Sequence, residues 1–305
     1  MTPGHATRPP GYGPAVLRLA AAVVVSLASS ACAPAQPAAG SAPAGFVVVP
    51  GGGFVMGSNA HYPEEGPAQR ALVSAFLLKT HEVTNVEFEA FVAATSHVTY
   101  AEHHGGSAVF VPTSTPDRAM SWWRLEPGAT WRTPEGAGSD LRGREDHPVV
   151  HVTRDDARAY ASWAGARLPQ EVEWEYAATR GLAEPDETDS GALDEHGAHR
   201  ANIFTGTFPI HDTAADGFAG TAPVGSFPAD RNGAFDLIGN VWEWTDTPFP
   251  GEPARATIKG GSYLCAPDHC RRYRPSARQA MEPDFSSNHI GFRIVKAPGW
   301  SDPDA

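Results

Sequence analysis

Hydrophobic positions along the chain come in short runs broken by glycine and proline. Phe46–Pro50 reads F-V-V-V-P and predicts a strand, Gly51–Gly53 a turn, and Phe54–Met56 the second strand of a hairpin. Leu72–Lys79 predicts a further strand. The period then changes. Thr84 and Glu87 have capping-box spacing, and Phe88, Phe91 and Val92 recur at helical spacing, so a helix is expected to run to about Ala94. Thr153 and Asp156 open a second capped helix, with Ala157, Tyr160, Ala161 and Ala164 as its buried stripe and Gly165 as its stop. Arg167–Glu171 starts a third, with Pro169 near its first turn and an apolar content of Val172, Trp174, Tyr176, Ala177 and Ala178. Ile258–Leu264 and Gly291–Val295 predict strands late in the chain.

Between these elements periodicity fades. Residues 96–145 place Trp122, Trp123 and Trp131 among Gly, Pro and charged residues, which fits either a binding surface or a surface insertion. Asn202–Phe218 and Gly233–Trp244 are dense in Asn, Asp, Gly and aromatics. Acidic oxygens among glycines, where backbone carbonyls can turn inward, suit a hard cation such as calcium; a set of Asx turns has the same composition.

Composition narrows the class. Of 305 residues, 31 are Gly and 28 Pro, with 8 Trp, while 41% are hydrophobic and 19% charged. That describes a loop-rich globular fold with aromatic packing rather than a helical bundle or a disordered chain. A net charge of −12 with no basic tract argues against nucleic acid as a partner. Residues 1–31 resemble an export signal: Arg8 and Arg18, then L-A-A-A-V-V-V-S-L at Leu19–Leu27, then A-S-S-A. The apolar run is too short to span a membrane. Cys32 follows directly, so lipidation of Cys32 as a membrane tether and ordinary cleavage near Ala31 both fit, with Ser29 where a lipoprotein signal usually has Leu. Residues 32–45 read as an Ala/Pro-rich tether and 297–305 as a tail. Removal of residues 1–31 takes both arginines, leaving 21 basic against 35 acidic side chains. An exported, periplasmic or cell-surface monomer is expected, with the cytoplasm as the alternative.

The chemistry concentrates in Gly260–Arg274, G-G-S-Y-L-C-A-P-D-H-C-R-R-Y-R. Cys265 and Cys270 are two of only three cysteines, and Arg271, Arg272 and Arg274 follow. Neighbouring guanidiniums favour thiolates. In an oxidising compartment the same pair also reads as a disulfide.

The motifs V-P-G-G-G-F-V-M-G-S (Val49–Ser58), H-E-V-T-N (His81–Asn85), A-R-L-P-Q-E-V-E-W-E-Y-A (Ala166–Ala177), G-N-V-W-E-W (Gly239–Trp244) and G-F-R (Gly291–Arg293) make residues 46–296 resemble the formylglycine-generating enzymes, or sulfatase-modifying factors. Lys259–Arg278, with both cysteines, resembles their active-site loop. The resemblance implies a single compact α+β domain of the FGE-sulfatase, C-type-lectin-like fold, with little regular secondary structure. It implies a copper-dependent oxidase that uses O₂ to convert a cysteine in the C-x-P-x-R motif of an unfolded sulfatase to Cα-formylglycine. Cys265 and Cys270 would hold Cu(I), Ser262 would stand beside them, and Trp242 and Arg272 would contact substrate. Asn202, Ile203, Asp216 and Phe218 match one family calcium site, and Asp236, Gly239, Val241 and Glu243 a second. His269 and Ala266 depart from the family pattern at positions often held by Tyr and His. Two rivals share the fold. An iron-dependent sulfoxide synthase would use a histidine set, for which His147 and His151 have one spacing but Thr153 stands where an acidic residue is expected. A lectin-like calcium-binding module would have no use for paired thiols.

Overall fold

A long, pinched β-ribbon opens the domain. The computed structural model describes residues 42–113, 121–181 and 191–299, which fall within one compact unit. The expected export signal, Cys32, residues 32–41 of the tether and residues 300–305 of the tail lie outside the described residues. Phe46–Val49 pairs antiparallel with Phe76–Lys79, and Gly52–Met56 with Gln69–Val73, in one continuous register. The expected hairpin between Phe46–Pro50 and Phe54–Met56 is therefore corrected: both lie on the same arm, and the chain reverses only at residues 57–68. Pro50 removes a backbone donor, and a Cβ on Gly51 would lie 2.8 Å from the backbone of Val73 and Ala75, so the ribbon pinches there instead of turning. The expected strand Leu72–Lys79 is likewise two strands. Val295–Lys296 joins the outer edge of Phe76–Lys79 to complete a three-stranded sheet.

The helices follow their caps. Asn85–Thr95 starts at a reciprocal Thr84–Glu87 box, and Arg154–Trp163 at a Thr153–Asp156 box. The third expected helix starts later than the sequence places it, at Glu171, so Arg167–Gln170 and with them Pro169 lie before its first turn, and it runs to Gly181. A further short helix, Tyr100–His104, uses a Thr99–Glu102 box inside the region read as irregular, and is followed by the hairpin Gly106–Phe110 with Trp123–Pro127. Trp131 is fully buried against Phe88, so this part of the region packs into the core.

The second sheet runs in the order Arg278–Met281, Glu252–Lys259, Trp242–Phe249, Ile290–Gly291. Residues 242–245 are buried on both faces, which hides strand alternation and explains why Gly233–Trp244 read as irregular. Lys259 is buried and pairs with Glu175 at 2.7 Å and Glu171 at 3.6 Å on the helix Glu171–Gly181. The expected strand Ile258–Leu264 ends at this lysine. Gly260 and Gly261 adopt φ of +97° and +72°, and a Cβ on Gly261 would meet the Tyr273 backbone at 2.9 Å. The chain leaves the sheet there and folds back on itself, which creates the cysteine loop. Gly291–Val295 is also divided, Ile290–Gly291 in this sheet and Val295–Lys296 in the other. The result is an α+β domain of short elements, as the sequence leads one to expect.

Candidate active site

The fold-back brings the two thiols together. Cys265 Sγ and Cys270 Sγ lie 3.2 Å apart, and both cysteines are free rather than joined in a disulfide. Cys265 is buried and Cys270 partly exposed. The local backbone explains the convergence: the Cys265 amide donates to Ser262 O at 2.8 Å, and the Cys270 amide to Ala266 O at 3.1 Å. The pair is electrically asymmetric. The hydrogen bond from Cys265 lowers the Cys270 thiol to about 6, aided by Arg272, while burial pushes the Cys265 thiol up. The asymmetry favours Cys270 as the acceptor and Cys265 as the donor of this contact.

The tip of the ribbon clamps this loop. Arg272 extends toward Cys270, with Nη1 at 4.0 Å from the sulfur, and bonds Glu64 through Nη2 at 2.6 Å and Nε at 3.1 Å. Its guanidinium stacks 4.0 Å above the Tyr62 ring, and the Arg271 amide donates to the Tyr62 hydroxyl at 3.4 Å. Arg274 is buried and bidentate to Glu65, one bond measuring 2.9 Å, with Ser276 donating to the same carboxylate. Glu64 and Glu65 were not anticipated; a carboxylate pair some 200 residues from its arginines leaves no local trace in sequence.

The other expected residues surround the pair in different ways. Ser262 is buried and its Oγ accepts the Leu264 amide at 3.2 Å, so it shapes the loop. Trp242 packs in the same apolar cluster as Cys265 and Tyr273. His269 is stacked on Phe208, with centroids 4.2 Å apart, and meets Trp122 edge-on at 5.7 Å. These rings give the exposed side of the loop an aromatic wall. Two sulfurs in this setting suit a soft metal ion.

Both expected cation sets lie behind the loop. In the first, the Asp216 carboxylate accepts the amides of Ile203 at 2.9 Å and Phe218 at 3.1 Å, and burial raises its pKa. Asn202 is buried and its Oδ1 makes no hydrogen bond, which fits a ligand awaiting a cation. All four residues are thus brought together. In the second set, Glu243 is bound by Arg293 at 2.7 Å and by Trp174 Nε1 at 2.8 Å, while Asp236 accepts the Gly225 amide at 2.7 Å and burial raises it to about 6. Glu82, absent from the sequence-derived set, is fully buried beside them, and burial raises its pKa strongly. Among the described residues no three His, Cys, Asp or Glu side chains converge as a finished metal site.

His147 and His151 do not form an iron site. His147 Nδ1 pairs with Thr221 Oγ1 at 2.9 Å, whereas His151 is fully buried with φ +59° and donates from Nε2 to Pro134 O at 2.8 Å. His147 instead lines a cavity of about 410 Å³ with Arg144, Phe204, Tyr263 and Leu264, reaching the back of the cysteine loop.

A family model described as "Sulfatase-modifying factor enzyme 1-like domain" matches residues 32–298. A protein named Formylglycine-generating enzyme from Thermomonospora curvata is 44% identical, the match covering 83% of this chain and 94% of that protein. One named Inactive C-alpha-formylglycine-generating enzyme 2 from Mus musculus is 38% identical, over 83% of this chain and 86% of that protein. Among solved structures, PvdO from Pseudomonas aeruginosa superposes with a TM-score of 0.60 at 25% identity, covering 83% of this chain and 94% of PvdO.

Proposed function

The chain belongs to the sulfatase-modifying factor enzyme 1-like family, and from that premise we propose that it is a formylglycine-generating oxidase, converting a cysteine of a sulfatase to Cα-formylglycine with O₂. Membership alone does not carry the activity, since a relative of comparable similarity bears a name that calls it inactive. The observation that carries it is the pair of unlinked thiols 3.2 Å apart at the partly exposed Cys270.

In this reading Cys265 and Cys270 hold copper(I). The metal, when bound, supplies the centre at which O₂ is activated. Everything else falls to the protein. Cys270 is held as a thiolate by the Cys265 hydrogen bond and by Arg272, and Cys265 gives up its proton when a metal is taken. Burial of Cys265 keeps water from one side of the pair, while the exposure of Cys270 leaves room for a substrate thiol. Ser262 fixes the loop, Arg272 and the aromatic wall of His269, Phe208 and Trp122 flank the approach, and the preferred substrate is an extended C-x-P-x-R segment. Calcium at the two sets behind the loop would stiffen the irregular segments 202–218 and 233–244. Export, by the Leu19–Cys32 pattern, would place conversion after translocation.

The test incubates copper-loaded full-length protein with a C-T-P-S-R peptide, O₂ and a thiol reductant, and reads aldehyde formation by mass spectrometry. Turnover is expected in the wild type and none in Cys270→Ser. Equal turnover by that variant would remove Cys270 as a ligand, and an inactive copper-loaded wild type would favour a calcium-binding module.

A further inference from the structure

Beside the second cation set lies a buried oxygen with no hydrogen-bond partner among the described residues. Glu82 is fully buried at the end of the strand-to-helix connection before Asn85–Thr95. One carboxylate oxygen, Oε1, accepts the Asn240 side-chain amide at 3.1 Å. Asn240 is itself fixed: it adopts φ +52°, its Oδ1 accepts the Ala222 amide at 2.9 Å, and its own amide donates to Asn202 O at 2.9 Å. The other oxygen, Oε2, has no hydrogen bond, and the Arg293 Nη2 nitrogen stands 4.0 Å away, beyond hydrogen-bond reach. That guanidinium is committed to Glu243, which it contacts at 2.7 and 2.9 Å, and to the carbonyls of Phe235 and Asp236. Two fully buried carboxylates, Glu82 and Glu243, and the half-buried Asp236 therefore share one positive charge. A buried carboxylate left without a partner is costly, and the cost is removed either by a proton or by a further cation held against the free oxygen.

We propose that Glu82 is an additional anionic ligand of the second cation site, its free oxygen joining Asp236 and the Gly239 and Val241 carbonyls around a hard divalent ion such as calcium, with Glu243 held beside them by Arg293 and Trp174. This rests on the calcium reading above and adds to it a residue from the opposite end of the chain. Oxygen donors of mixed origin, carboxylate and carbonyl, are what such an ion takes. Glu82 also ties the N-terminal ribbon to the Gly239–Glu243 segment, so ion binding here closes the domain across its sequence ends.

The experiment strips the full-length chain with a chelator and titrates it with Ca²⁺ by calorimetry, then with Tb³⁺ while exciting tryptophan. Trp174 donates to Glu243, so Tb³⁺ at this site draws sensitised emission. The wild type is expected to bind two ions. Glu82→Gln should lose one, or weaken it at least about tenfold, with the emission, while the ion at Asn202 and Asp216 stays. Glu82→Asp, a gentler change, should weaken the same ion by a smaller factor and decides the matter should the glutamine variant fail to fold. Unchanged stoichiometry and affinity in a folded Glu82 variant would overturn the role of Glu82 alone. A wild type that binds one ion, lost on Asp216→Asn, would overturn the second site and Glu82 with it.

Discussion

Two buried or half-buried charge clusters flank the loop Gly260–Arg274, and they are balanced in opposite ways. At the ribbon tip each arginine has its own carboxylate: Arg272 with Glu64, Arg274 with Glu65. Behind the loop Arg293 alone faces Glu82, Asp236 and Glu243. A neutral cluster forms without help and can preset a thiol pair. An over-supplied one raises the pKa of its carboxylates and, in the calcium reading proposed above, would be completed by a cation. The contrast sets a cluster balanced by its own side chains against one that is not.

The sharpest way to break the contrast is Arg293→Met. It leaves Glu243 and its neighbours buried with no positive charge, and should cost about 3–5 kcal/mol in chemical denaturation. Added calcium should return part of the loss. A cost under about 1 kcal/mol would mean the cluster is not over-supplied. Glu65→Gln tests the balanced side. The amide keeps one acceptor for Arg274, so the expected loss is smaller, about 2–3 kcal/mol, and calcium should not restore it. Rescue of this variant by calcium would merge the two clusters.

A third test uses pH. Burial raises Asp236 from its ordinary 3.8 to about 6, so the folded protein binds the proton more tightly than the unfolded chain. Its contribution disfavours folding increasingly as pH rises from 3.8 to about 6, and fully above that. A cation removes the penalty. The rise in melting temperature on adding calcium should therefore grow between pH 4 and pH 7, by a few degrees. A rise independent of pH would separate calcium binding from Asp236.

Sequence reasoning reached the cysteine loop because its chemistry is contiguous: two thiols and three guanidiniums within fifteen residues. It reached two helices through caps, which are local hydrogen bonds, and a third through Pro169 and its apolar content. Even the missed helix carried its signal in Thr99 and Glu102. Pairings across long separations were lost. Pro50–Gly51 looked like a turn but is a pinch, and Trp242–Phe249 shows no alternation because its first half is buried on both faces. Glu64, Glu65 and Glu82 belong to the loop and the cation set only through tertiary folding; Glu82 was visible within H-E-V-T-N, but only as part of a fold signature.

The finest test asks whether the balanced cluster presets the thiols. Arg272 and Glu64 are each about a quarter exposed, so Arg272→Gln should change stability by at most about 1 kcal/mol. Its effect should appear at Cys270 instead. In metal-free wild type, alkylation by iodoacetamide should rise with pH around a midpoint near 6, because the thiolate is the nucleophile. The same lowered value means that the thiolate's share of stability is complete above its ordinary 9 and is lost as pH falls through about 6. Cys265→Ala should raise the alkylation midpoint most, since that thiol supplies the largest stabilisation, and Arg272→Gln should raise it less. A wild-type midpoint near 9 would show that the clamp leaves the pair unset, and the contrast with the acidic cluster would then be one of packing rather than charge.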